Sequence, residues 1–320
     1  MEKNTILIIG ANGQLGTVLE DELQKLYGRD NVIASDINSN THFNGIFELL
    51  DATDYDAVET IVRKYNITEI YHLAAILSAN GEKHPLRTWD LNMTMMLNVF
   101  EVSRLNGVEK VFFPSSIAVF GDAVDRENTA QLSYLNPETV YGMSKAAGEN
   151  WAQYYFLKYD LDIRSLRYPG VIGHQSLPGG GTTDYAVEIY HNAAKNEDFT
   201  CFLKDDTVLP MIFMDDAIRA TIELMSAPKE KIKLRTSYNI ASMSFSPKEI
   251  TSAIKEVCPN FKVDYKPDFR QDIADGWPKS IDDTAAREDW NWKPKYDLKL
   301  MTKTMLEKLN EKYKTQCISE

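Results

Sequence analysis

Tyr141 and Lys145 stand four residues apart in Thr139-Val140-Tyr141-Gly142-Met143-Ser144-Lys145, a spacing that stacks them on one helix face. Such a pair suits proton transfer. A free phenol has a pKa of about 10, so a tyrosine acting as a base at neutral pH needs a shift of about 3 units, roughly 4 kcal/mol. An ammonium one turn away is expected to supply most of it. The same spacing also arises on ordinary helices, so its surroundings must decide. Ser115 and Ser116 follow a strand-like Lys110 to Pro114, and one of these hydroxyls can share a substrate oxygen with Tyr141. The helix carrying the pair reads as Thr139 to Lys158, entered through Asn136-Pro137.

The elements that would set a cofactor beside this pair begin the chain. A buried strand, Thr5 to Ile9, runs into Gly10-Ala11-Asn12-Gly13-Gln14-Leu15-Gly16 and then a helix to about Tyr27 with Leu15, Leu19, Leu23 and Leu26 inward. A glycine turn of this kind brings bare backbone against a pyrophosphate, and the helix start adds free N–H groups and partial positive charge. The next strand, Asn31 to Ser35, ends in Asp36, placed to accept from both hydroxyls of an adenosine ribose. No arginine follows in Ile37-Asn38-Ser39-Asn40, which favours NAD over NADP. A third strand, Ile46 to Leu49, leads to Leu50-Asp51 and a helix over Tyr55 to Tyr65, and a fourth, Glu69 to Leu73, ends in Ala74-Ala75. Asp51 can reach an adenine amine, and the small residues Ala74 and Ala75 let backbone pass close to a cofactor. Ser78 lies in the loop Ile76 to Pro85, at the carboxyl end of a strand where open α/β sheets bind ligands. In the helix that follows, Arg87 to Leu105, Asn92 is a buried-side polar residue able to brace the catalytic region.

A sixth strand, Ile163 to Arg167, closes a doubly wound parallel sheet. After it come Tyr168-Pro169-Gly170 and a polar loop through Pro178-Gly179-Gly180-Gly181 to Thr182-Thr183-Asp184. The threonines, with helix-terminal N–H groups, suit a carboxylate, and Asp184 suits an ammonium. Beyond residue 198 strand and helix alternate less regularly, as in a smaller lobe. Ser246-Pro247-Lys248-Glu249 reads as a capping box. Gln271 to Thr284, with Trp277-Pro278, is a candidate lid, and Leu298 to Tyr313 a final helix.

Bulk properties narrow the class. The 320 residues, 43% hydrophobic and 26% charged, describe an ordinary globular chain whose apolar runs are short of the roughly 20 residues of a membrane span. The net charge of -12 argues against a sequence-independent hold on nucleic acid or anionic membrane. Cys201, Cys258 and Cys317 are widely spaced and form no Cys-x-x-Cys, which fits a reducing compartment without a disulfide frame. The histidines, His42, His72, His84, His174 and His191, show no metal spacing on a helix, so no metal is expected. The opening residues resemble no signal or transit segment, and the expectation is a cytoplasmic protein.

Gly10-x-x-Gly13-x-x-Gly16, Asp36, His72-Leu73-Ala74-Ala75, Ser115-Ser116 and Tyr141-x-x-x-Lys145 together resemble the extended short-chain dehydrogenase/reductases. Nucleotide-sugar members usually carry Arg-x-x-Asn-x-Tyr-Gly after the sixth strand and a later Arg-x-Phe-x-x-Val-x-Asp that grips a diphosphate. Here those segments read Arg167-Tyr168-Pro169-Gly170-Val171-Ile172-Gly173 and Leu209-Pro210-Met211-Ile212-Phe213-Met214-Asp215, without either feature. They look instead like the short-chain L-threonine 3-dehydrogenases, as do residues 178–186 and Trp277-Pro278-Lys279-Ser280-Ile281-Asp282-Asp283.

The resemblance implies a Rossmann-type α/β fold: residues 1-170 with part of 200-245 bind NAD, and 171-199 with 246-320 form a smaller C-terminal substrate-binding lobe. It implies NAD-dependent oxidation of L-threonine at its 3-hydroxyl to L-2-amino-3-oxobutanoate, with Tyr141 as base, Lys145 lowering its pKa, and Ser116 holding the substrate oxygen. The expected cofactor contacts are Gly10, Asn12, Gly13, Gln14, Leu15, Gly16, Asp36, Ile37, Leu50, Asp51, Leu73, Ala74, Ala75, Asn92, Tyr141, Lys145 and Tyr168. The expected substrate contacts are Ser78, Ser115, Tyr141, Thr182, Thr183, Asp184 and Trp277. A homodimer through the helices containing Met95 and Tyr141 is also implied. Two other readings stay open: a nucleotide-sugar epimerase or dehydratase, and an NAD-holding sensor without chemistry.

Overall fold

The computed structural model describes residues 4–40, 45–177 and 179–314. His42, Pro178 and Cys317, singled out in the sequence, lie outside them. Fourteen strands and eleven α-helices are found among the described residues. Strands β1 (Ile6–Ile9), β2 (Val32–Asp36), β3 (Ile46–Leu49), β4 (Glu69–His72) and β5 (Lys110–Phe112) alternate with α1 (Gln14–Tyr27), α2 (Tyr55–Tyr65), α3 (Ser78–Gly81) and α4 (Pro85–Leu105). With β7 (Asp162–Arg164) they form a six-stranded sheet in the order β3-β2-β1-β4-β5-β7, parallel throughout. That order reverses beside β1, so a crevice opens above the carboxyl ends of β1 and β4. Two apolar cores flank the sheet, one packed against α2 and α4, the other against α1 and α7 (Met214–Ser226).

Several expectations change. The sixth strand is two pieces: after Ser165 the chain jogs from β7 into β8 (Leu166–Tyr168), which joins another sheet, β12 (Tyr238–Asn239) beside β8 beside β6 (Ser115–Ser116). The β5 line breaks at the same level, and Phe113 N donates to Arg164 O at 2.9 Å across the break. Leu26 is 59% exposed, since one sheet-facing stripe needs only Leu19 and Leu23 at full depth. Cys201 is a buried free thiol.

Helix α5 (Val140–Tyr159) packs along α4 and carries the Tyr141 and Lys145 pair. Its start is fixed from two sides: Thr139 Oγ1 accepts from Gly142 N at 3.1 Å, and Glu82 Oε1 accepts from Val140 N at 2.8 Å. Capping oxygens at these N–H groups satisfy the helix terminus and set its register. On the far side of the crevice, β9 (Gly170–Ile172), β11 (Leu209–Phe213) and β13 (Met243–Phe245) form a small sheet. It and α6 (Tyr185–Ala194), α8 (Pro247–Lys255), α9 (Arg270–Asp275) and α11 (Leu298–Tyr313) surround a third core, with β10 (Phe199–Cys201) and β14 (Val263–Tyr265) at its edge and α10 (Thr284–Trp290) nearer α7. The capping box at Ser246 and Glu249 is present. No helix of the described residues is long and apolar enough to cross a membrane.

Candidate active site

Two cavities line the crevice. The larger, about 450 Å³, runs between the glycine turn, Asp36-Ile37, Leu50-Asp51 and Leu73-Ala74-Ala75. Gly10 sits at φ +89°, and a Cβ there would lie 2.7 Å from Ala74 N; a Cβ on Gly16 would lie 2.4 Å from Gly10 O. Only glycine lets β1, α1 and the end of β4 converge this tightly. The helix behind the turn begins at Gln14 without a side-chain cap, leaving N–H groups for a ligand oxygen. Gln14 Nε2 is buried without a hydrogen-bond partner, a donor in want of an acceptor.

Asp36 is held at the edge of this cavity by the turn itself, Oδ2 accepting from Asn12 N at 3.2 Å and Oδ1 from Asn38 N at 3.0 Å. Asn12 Nδ2 donates to Asn38 O. The orphan donor, the side-chain-free cradle and the fixed carboxylate fit a dinucleotide with an unphosphorylated ribose. Asp51 faces the cavity while accepting from Thr53 N and Oγ1.

The smaller cavity, about 160 Å³, brings together Gln14, Leu15, Ser78, Ser115, Ser116, Tyr141, Lys145, Tyr168, Thr182, Thr183, Asp184 and Trp277. Tyr141 and Ser116 line this cavity together, the serine side chain near enough to draw the phenol's pKa down, and Ser116 Oγ accepts from Ala118 N at 3.2 Å. Lys145 is 4% exposed. Its Nζ lies 4.6 Å from the Phe113 ring centroid and 5.5 Å from that of Tyr141, within cation–π range of both.

The electrostatics run against the simple expectation. Burial pushes the Tyr141 phenol up to about 12, with Ser116 pulling the other way, and burial pushes Lys145 down to about 7. Lys145 is therefore not a fixed full charge, and the phenol keeps its proton. The sequence could place the two groups one turn apart but not count the water each loses. His72, fully enclosed, is likewise pushed down, to about 3, by burial and then by the nearby Lys145. Its Nδ1 has no hydrogen-bond partner.

Three residues sit differently from their expected contacts. Asn92 lines neither cavity. Its Oδ1 accepts from Ile76 N at 2.9 Å and its Nδ2 donates to Ile76 O and Ser144 Oγ, so it braces the loop after β4. Ser115 Oγ donates to Glu149 Oε1 at 2.6 Å, which commits its proton away from the cavity. Asp184 Oδ2 accepts from Gly180 N and Gly181 N, each at 2.7 Å; burial raises its pKa against those N–H groups. Thr182 and Ser78 lie together, their hydroxyls 3.4 Å apart. Tyr168 hydrogen-bonds Thr221 through its hydroxyl and presents its ring to the site. Trp277 is 7% exposed, and its carbonyl accepts from Arg126 Nε at 2.9 Å. The candidate lid is thus stitched to residues 126–129, Thr129 bridging Ile281. Sequence reasoning missed Glu149, for which a carboxylate four residues after Lys145 was the available signal; Glu82, one of the polar groups of the loop after the fourth strand, caps α5 instead of facing a ligand. Among the described residues no group of three or more His, Cys, Asp or Glu is placed to hold a metal ion.

Comparison with known proteins agrees with this geometry. The model of the NAD dependent epimerase/dehydratase family matches residues 6–241. An uncharacterised epimerase/dehydratase of Staphylococcus aureus (strain USA300) is 46% identical over 312 residues, 96% of this chain and 97% of the relative. A GalE-like L-threonine dehydrogenase from Cupriavidus necator, in a holo form, superposes with a TM-score of 0.94 at 54% identity, covering 95% of this chain and 99% of its own. A monomeric L-threonine 3-dehydrogenase from a metagenome superposes at 0.93 with 47% identity, covering 96% and 99%. NAD(H) is the cofactor that the family match implies for this chain.

Two outcomes follow from the site. Asp36→Ala is expected to weaken NAD by about tenfold or more, the scale of one lost charge-assisted hydrogen bond, while sparing NADP; calorimetric titration with both dinucleotides checks it, and equal losses would contradict the role of Asp36. Lys145 has its folded pKa below the unfolded value, so its penalty is complete below pH 7 and fades as pH rises toward about 10.5. Lys145→Met should therefore raise the Tm of the cofactor-free protein, most at pH 6 and least at pH 10; a lowered Tm at pH 6 would contradict the burial argument.

Proposed function

The chain belongs to the NAD dependent epimerase/dehydratase family, and on that premise we propose that it oxidises the 3-hydroxyl of L-threonine with NAD, giving L-2-amino-3-oxobutanoate and NADH. The observation that carries this reading is the smaller cavity. At about 160 Å³ it falls below the usual range of roughly 300–1,000 Å³ for larger ligands. Among the described residues lining it Lys145 is the only cation. A nucleotide sugar brings a diphosphate that wants arginines. At the corresponding strand, β11, the chain offers Pro210, Met211 and Ile212, all buried. The names of the related L-threonine dehydrogenases support the same choice.

In this reading the substrate hydroxyl lies between Ser116 and Tyr141. Bound NAD supplies the hydride acceptor and, in its oxidised form, a positive charge that favours the phenolate. Tyr141 takes the hydroxyl proton as the carbon–hydrogen bond breaks. Ser116 donates to the same oxygen and holds it in line. Lys145, its pKa lowered by burial, stabilises the phenolate when charged and takes the proton onward when neutral. Ser78, Thr182 and Thr183 offer hydroxyls to the substrate carboxylate, and Asp184 keeps Oδ1 for its ammonium. The lobe of 171-199 and 246-320 closes the site over a cofactor held by 1-170 with part of 200-245, its helices α6, α8 and α11 sharing one core with residues 117–120 and β11 of the other part.

Purified protein is expected to form NADH with L-threonine, far less with L-serine, and none with UDP- or dTDP-sugars. Tyr141→Phe should lower kcat by about 10²- to 10⁴-fold, the usual scale for a lost acid–base group. Full activity in that variant, or turnover of a nucleotide sugar without NADH, would sink the reading. A homodimer is part of it: α4 and α5 expose Leu86, Trp89, Trp151 and Leu157, an apolar face suited to a second copy. Sedimentation at micromolar concentration should give twice the mass of one chain, and a single-chain mass would remove the dimer.

A further inference from the structure

Glu149 lies one turn beyond Lys145 and two turns beyond Tyr141 on α5, is 1% exposed, and lines neither cavity. Its carboxylate is fully engaged. Oε1 accepts from Ser115 Oγ at 2.6 Å and Arg167 Nε at 2.8 Å, and Oε2 accepts from Arg167 Nη2 at 2.7 Å. Arg167 Nη1 donates onward to Gln131 O at 2.9 Å and Asn239 Oδ1 at 3.2 Å, and its guanidinium sits 5.1 Å from the Phe120 ring centroid. Strand β6 is only two residues long, and its register on β8 sets Ser115 beside Arg167 and Ser116 beside Tyr168. So short a strand has little pairing of its own to hold it.

We propose that Glu149 is a positioning residue for the proton transfer: its carboxylate ties the helix carrying Tyr141 to the short strand carrying Ser116, and so fixes the phenol against the serine hydroxyl. The inference rests on the assignment of Tyr141 and Ser116 under the proposed function. A buried ion pair is weak evidence for stability by itself; what singles this one out is what it joins. Helix α5 reaches β6 through Glu149 on one side, and on the other Tyr141 and Ser116 face one cavity, so the two elements meet on both sides of Ser115 and Ser116. The first contact is permanent and the second is where chemistry occurs. Ser115 becomes the link between them, its hydroxyl proton spent on Glu149 while its backbone carries Ser116.

Loosening the tie lets Ser116 drift from Tyr141 and weakens the pull it exerts against the burial of the phenol, so the Tyr141 proton should bind more tightly. The other titratable groups around Tyr141 are Lys145 on its own helix, His72 beside Lys145, Asp184 in the same cavity, and Glu82 on the backbone of Val140. Neither test substitution alters them. Glu149→Gln keeps the size of the side chain and an acceptor for Ser115 but removes the charge that orients Arg167. Ser115→Ala cuts the link from the strand side and leaves the ion pair whole, so it carries the test should Glu149→Gln fail to fold.

The measurement is the ionisation of Tyr141 in NAD-saturated protein, read as the difference in tyrosinate absorbance between each protein and its Tyr141→Phe counterpart, beside the pH profile of kcat with threonine. Each variant is expected to raise the midpoint by about one unit, a tenfold change in proton affinity, and to move the rising limb of kcat equally toward alkaline pH. The KM for NAD should stay within about twofold, as expected for an interaction outside the cofactor site. A general loss of structure would lower the amount of active enzyme without moving either midpoint. An unmoved midpoint in both variants, or a Tyr141 that does not ionise below pH 11 in the parent protein, overturns the inference. If the midpoint moves but the parent protein makes no NADH from threonine, the substrate assignment fails and the positioning role stands.

Discussion

A lysine ammonium taken out of water is the constraint around which the site is built. Lys145 is enclosed by Phe113, Tyr141 and, within electrostatic reach, His72. None of these partners is an anion. Desolvation therefore goes uncompensated and shows itself as a pKa near 7. The result is a group whose charge can change near neutral pH, which that of an exposed lysine cannot. The same enclosure holds the proton on Tyr141, so the isolated protein rests with a neutral phenol beside a labile cation.

Keeping that cation dry dictates much of the surrounding architecture. Strands β4 and β5 deliver His72 and Phe113, α5 delivers Lys145 and Tyr141, and the jog shared by β5 and β7 turns β6 and β8 inward to close the floor. Other buried charges are handled in the opposite way, by complete pairing. Arg164 meets Asp162 bidentately, with three backbone oxygens of the α7 C-terminus completing its donors. Asp216 accepts from Arg219 and from Lys295 N and Tyr296 N. Those networks fasten segments; the unpaired Lys145 is left chemically responsive. The difference between a paired and an unpaired buried charge sets Lys145 apart from the fastening networks of this molecule.

How legible the site was follows from the range of each interaction. The glycine turn, Asp36 at the end of β2, the capping box at Ser246 and the one-turn spacing of Tyr141 and Lys145 depend on residues within a few positions of each other, and they are found where the sequence puts them. Asn92, Ser115 and Asp184 were recognisable as polar groups near the crevice, but their hydrogen-bond partners were not. Ser115 binds Glu149 across 34 positions, and nothing local distinguishes that bond from one to a ligand. The division of the sixth strand between two sheets depends on which neighbours β7 and β8 find, again a long-range matter.

Local pattern by itself determined much of the strand and helix alternation in the first 112 residues, the glycine turn after β1, the acid at the end of β2 and the one-turn spacing of Tyr141 and Lys145, because periodicity, glycine and capping act over a few residues of backbone. The tertiary structure alone decided how large the cavity beside that pair is, which hydroxyls remain available to it, and the direction in which each pKa moves. Those depend on how much water is excluded when segments far apart in sequence pack together. For Tyr141 and Lys145 that exclusion outweighs their own adjacency, and the charge state inferred from spacing is reversed.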